Sequence, residues 1–181
     1  MSDRTKGTDD STTVPGIRDV FATTLETVTG EIAASTRGAG LTGAPLLAAV
    51  ANVVDGAVRG AVAMGSDLAP AMKAIIMGIL RGTEAKEEAG LKILSHAAKI
   101  IIRQTADRGG NLAAATKGIV LGAIASAKSI GVDVPKAAST AAQGAHEGAV
   151  EAGSLTVEQV LGALKEPIGG SKVALPMPAA T

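Results

Sequence analysis

The chain has 181 residues, enough for one well-buried domain and too few for two comfortable ones. Its 17 Lys and Arg balance 17 Asp and Glu, so nothing calls for nucleic acid or an acidic substrate. Phe21 is the only aromatic residue and there is no cysteine, which excludes base-stacking platforms, disulfides, thiol nucleophiles and thiolate metal sites.

Residues 1–13, MSDRTKGTDDSTT, are polar and aperiodic and are expected to form a disordered tail. They contain no apolar stretch of signal-peptide type, so a cytoplasmic location is expected. From Pro15, which suits a first turn, Ile17, Phe21, Leu25, Val28 and Ile32 recur at three- and four-residue steps and predict a first helix ending at Arg37. A second helix is predicted from about Ala44 to Gly65, with Pro45 in its first turn and an apolar stripe of Leu47, Val50, Val54, Val58 and Ala61. Ser66 or Asp67 can cap a third, whose buried side is Met72, Ile75, Ile76, Ile79 and Leu80. The charged run EAKEE after Gly82 either bends the chain or continues as a solvated turn.

A fourth helix is predicted from about Glu88 to Arg108. One of its faces carries Leu91, Leu94, Ala98, Ile101 and Thr105, and the opposite face Lys92, His96, Lys99 and Arg103. Asn111 is a cap for a fifth helix, and Asp133, with Pro135 in the first turn, opens an alanine-rich sixth that ends near Gly153. Thr156 and Gln159 match a capping box for a short seventh helix, Val157–Glu166, stopped by Pro167. Residues 168–181 are expected to be an extended tail.

The plan repeats. Gly56 and Gly60, a turn at Ser66–Pro70, then Gly78 and Gly82 are answered by Gly118 and Gly122, a turn at Gly131–Pro135, then Gly144 and Gly148. The predicted fold is therefore all-α: a tandem duplication of a three-helix unit, on a period of roughly 62–70 residues, plus a truncated seventh helix. The single helical domain spans 14–167, with copy one at 15–87, copy two at 88–153 and a partial third copy at 154–167. Short connections favour an antiparallel bundle or a short α-solenoid.

A glycine inside a helix costs about 0.5–1 kcal/mol relative to alanine, so eight of them sum to roughly 4–8 kcal/mol. Against a net domain stability of about 5–15 kcal/mol, that calls for an offset. Residues four apart share a helix face, and without Cβ atoms they admit a second helix at short range. The eight glycines are accordingly the predicted packing positions, within one chain or between chains. The longest uncharged window, Gly38–Val54, is about 17 residues and falls short of the ~20 that a membrane span wants. Tight packing in water is the expected reading, and no transmembrane span is expected.

No catalytic, metal or cofactor site is expected. The segment GAGLTG from Gly38 to Gly43 matches the dinucleotide-binding spacing, but a helix precedes it and no βαβ unit surrounds it, so it reads as an interhelical turn. His146 lacks the second histidine of a zincin helix, and His96 sits on a basic face that would repel a cation. Both read as surface residues. Glu147, Glu151 and Glu158 have no basic partner evident, and Ser and Thr have no neighbouring general base.

The phrases GAVRGAVAMGSDLAPA, GIVLGAIASAKSIGVDVPKAAS and AAQGAHEGAVEAG, within about Ala44–Gly153, resemble a bacterial family of uncharacterised Gly/Ala-rich tandem helical repeat proteins. The resemblance implies a helical repeat and carries no activity or functional residues. The first copy departs from it in the third helix, where Met and Ile replace alanine. A looser similarity, in composition and amphipathic helices, is to phasins, the coat proteins of polyester granules. The functional expectation is a non-enzymatic scaffold protein that self-associates through its glycine faces into a homo-oligomer or filament. The alternative is an amphipathic protein on an apolar phase: a granule, a membrane surface or a hydrophobic ligand.

Overall fold

The computed structural model describes residues 16–37, 43–65 and 67–174. The expected N-terminal tail, the Pro15 turn position, the GAGLTG segment up to Thr42, the Ser66 cap and the last seven residues lie outside that range. Among the described residues the fold is all-α, with seven helices: α1 Ile17–Arg37, α2 Ala44–Ala63, α3 Leu68–Thr83, α4 Glu87–Asp107, α5 Leu112–Ile130, α6 Val134–Ala152 and α7 Ser154–Lys165.

The helix starts follow local chemistry. Asp67 accepts from the Ala69 amide at 3.1 Å, Asn111 from Ala114 at 3.0 Å and Asp133 from Lys136 at 3.1 Å, each satisfying an amide with no partner inside its helix. The EAKEE run bends the chain: Glu84 and Glu87 both adopt positive φ, 53° and 48°, and separate α3 from α4. α5 ends on Gly131 at φ 78°, where a Cβ would be strained.

Two expectations are corrected at the C-terminal end. Thr156 and Gln159 form no capping box, because α7 begins earlier, at Ser154, with Gly153 as its N-cap. The Val157 amide donates to the Gly153 carbonyl at 3.2 Å, which leaves Thr156 inside the helix and buried. Residues 168–174 are not an extended tail. Ile168 and Ser171 exchange backbone hydrogen bonds at 3.0 Å in a tight turn, and Ile168 and Val173 are buried with the core.

Few residues separate sequential helices, and α1 packs chiefly on α3, α2 on α4, α3 on α5 and α4 on α6, while α7 is shared about equally between α5 and α6. A Cβ at Gly78 would meet Val28, and one at Gly82 would meet Ile32, so residue numbers rise together on α1 and α3 and the two helices run parallel. The same ordering holds for Gly118 and Gly122 on α3, and for Gly144 and Gly148 on α4. α3 is the central helix, with Met72, Ile75, Ile76 and Ile79 fully enclosed.

Candidate functional site

Six of the eight repeat glycines lie against another helix. A Cβ at Gly78 would stand 2.9 Å from Val28 Cβ, and one at Gly82 would stand 2.7 Å from Ile32 Cβ and 2.9 Å from the Thr29 carbonyl oxygen. At Gly122 it would stand 2.8 Å from Ile76 Cβ and 2.9 Å from the Lys73 carbonyl. At Gly118, Gly144 and Gly148 it would run directly into the carbonyl oxygens of Ala69, Ser95 and Lys99. Backbone-to-backbone approach at these positions is closer than any side chain permits, and it trades bulky side chains for dispersion and Cα–H···O contacts.

Gly56 and Gly60 are different. Both are exposed, and nothing among the described residues lies within 4 Å of a Cβ placed on either. The expectation of a helix at short range is therefore unmet here within the chain, because glycine spacing defines a face and not what covers it. Ala48, Asn52 and Ala63 extend the same exposed strip, spaced three or four residues apart. α2 is long and apolar enough to cross a membrane by length and composition, with a mean hydropathy of 1.5 over its best window, yet only 28% of that window is buried. Its repeat counterpart α5 buries eleven of its 19 residues, whereas α2 buries five of 20. The difference is the helix each one meets, since α5 presses its glycines onto α3.

A groove of about 800 Å³ runs between α2 and α4, lined by Leu47, Asn52, Asp55, His96, Lys99 and Arg103 among others. Its charges are largely satisfied. Asp55 pairs with Arg59 at 2.8 Å and with Arg108 at 2.7 Å, the latter tying α2 to the end of α4. Glu151 of α6 receives Lys99 at 2.6 Å and Arg103 at 3.2 Å, so the expectation that it has no basic partner is corrected. The hydrogen bond from Lys99, more than its opposing desolvation, holds the Glu151 carboxyl below its ordinary pKa. The equivalent groove in the second copy, about 610 Å³ between α5 and α7, is bridged by Lys117 and Glu166 at 3.2 Å. Among the described residues no group of three metal-binding side chains converges.

His96 is half-buried in the α2–α4 groove rather than a solvated surface group. Burial pulls its pKa below the ordinary histidine value, a hydrogen bond with the Leu47 backbone opposes this, and the Lys99 charge adds to the lowering. The unfolded chain therefore takes up this proton first. The contribution of neutral His96 is full above the ordinary value of about 6.5 and declines as pH falls through and below it. Thermal unfolding across that range should show stability dropping on acidification, and His96→Gln should flatten the drop.

Gly43 of the GAGLTG segment caps α2 with φ 61°, and the helix α1 precedes it in place of the strand that a dinucleotide site requires. Compared with family models, curated proteins and solved structures, the chain finds no match.

Proposed function

We propose that this chain is a non-enzymatic structural protein that associates with copies of itself through the small-residue face of α2. One observation carries the reading: Gly56 and Gly60 stand open, while their counterparts Gly118 and Gly122 are pressed against a neighbouring helix. Retaining two glycines in an exposed helix costs about 0.5–1 kcal/mol each relative to alanine, and a close-packing partner supplies the offset. The absence of a catalytic role is part of the proposal; Asp55, in the groove beside α2, is already engaged by two arginines, and Glu151 of α6 by lysine and arginine.

The alternative occupant of this face, a lipid or granule surface, fits the side chains less well. Interfacial helices present bulky aliphatic or aromatic groups to the apolar phase. The exposed strip of α2 presents Ala48, Asn52, Gly56, Gly60 and Ala63, the residue types that let another backbone come close.

Sedimentation velocity over a concentration series tests the reading. The wild-type chain should form oligomers, and the double variant Gly56→Leu, Gly60→Leu should sediment as a monomer with its helical circular dichroism and melting temperature retained. A wild-type chain that stays monomeric throughout, or that floats with anionic vesicles in preference to self-associating, overturns it.

A further inference from the structure

We infer that the surface α2 docks onto is α6 of a second copy, so that the contact is head-to-tail and leaves both chains with an unused end. This rests on the self-association proposed above and concerns its geometry. The duplication aligns Asp67, Gly78 and Gly82 of α3 with Asp133, Gly144 and Gly148 of α6, and Gly56 and Gly60 of α2 with Gly118 and Gly122 of α5. The spatial relations follow the same register. α1 lies on α3 as α4 lies on α6, and α2 lies on α4 as α5 lies on α7. One junction is present once: α5, by Gly118 and Gly122, on the Ala69 and Lys73 carbonyls of α3. Its donor helix recurs as α2 and its acceptor helix recurs as α6, and α2 and α6 have no substantial contact with each other.

The outer edge of the corresponding ridge on α6 is open. Ala69 and Lys73 correspond to Pro135, which is exposed, and Ser139, which is half-buried. Gln143 and Val150 continue the open side, Val150 at 57% exposure. Beneath the ridge, Ala138 and Ala142 replace Met72 and Ile76, and their small side chains keep its profile low. The exposed large hydrophobic side chains among the described residues also fall at these two places: Met64 at the end of α2, and Val134, Val150 and Leu155 on or beside α6. A contact between two different patches, related by the internal repeat, does not use itself up on pairing. It propagates into an open polar chain instead of stopping at a two-fold dimer.

The natural absence of cysteine makes this directly testable. Ala63→Cys, three residues beyond Gly60, and Gln143→Cys, four beyond Ser139, are both substitutions at exposed positions. With a short bismaleimide, the mixture of the two single variants should give a covalent dimer that neither gives alone. A chain carrying both should give a ladder of multimers. Dimer from Ala63→Cys alone would mean an α2–α2 two-fold contact, and would overturn this inference while leaving self-association intact. So would a chain that sediments as an oligomer yet cross-links in none of these combinations, or a double variant that links only within itself. A monomeric wild-type chain would remove both readings.

Discussion

Gly144→Ala should destabilise the domain by about 2 kcal/mol and lower its melting temperature by roughly 4–8 °C. A methyl group at this position points into the Ser95 carbonyl oxygen and stands 3.0 Å from Ala98 Cβ. Neither neighbour is the free end of a flexible side chain, so α4 and α6 must separate, and dispersion contacts weaken along their shared length. The gain in helix propensity, about 0.5–1 kcal/mol, offsets only part of this. Gly162→Ala, at an exposed position of α7 that the proposed contact does not use, is the internal control. With nothing within 4 Å, the same substitution should raise the melting temperature slightly. Thermal denaturation of the two variants in parallel decides the matter, and equal responses would mean that close backbone approach contributes nothing to stability.

Ile76→Ala should have the larger effect, a loss of about 3–4 kcal/mol read from denaturant midpoints at constant slope. Ile76 is enclosed in the middle of α3, and its Cβ and Cγ2 face Gly122 of α5. Rigid helices on both sides prevent the site from collapsing into the space left behind, which is the condition under which cavity costs are greatest. Its counterpart Ala142 is fully buried in α6, so alanine fills this position in the second copy. A loss below about 1 kcal/mol would mean that α3 is not the central column of the core.

That role of α3 explains the departure visible in the sequence, where Met72, Ile75, Ile76 and Ile79 occupy positions that are alanine in α6. Helix number, order and the caps at Asp67, Asn111 and Asp133 were legible because periodicity and capping are local chemistry. So was the close approach at six glycines, since a matched cost in both copies needs a matched reason. Gly56 and Gly60 carry the identical local signal, and no spacing rule distinguishes a covered face from an open one. The Lys99–Glu151–Arg103 cluster was invisible for a related reason: its members are some fifty residues apart and meet only because α6 lies parallel to α4. The turn at Ile168–Ser171 has weak sequence character of its own. It is placed by Leu121 and Ile124 of α5, against which Gly169 packs.

The packing of each helix on the one two places before it has a consequence for how the chain comes into being. No substantial contact joins helices further apart than that, so every interface closes over a short stretch of polypeptide. Such a topology is expected to fold fast, because little chain entropy is lost before each contact is made. As the chain is synthesised, each new helix finds its docking surface already finished. The early interfaces do not have to wait for the C-terminus.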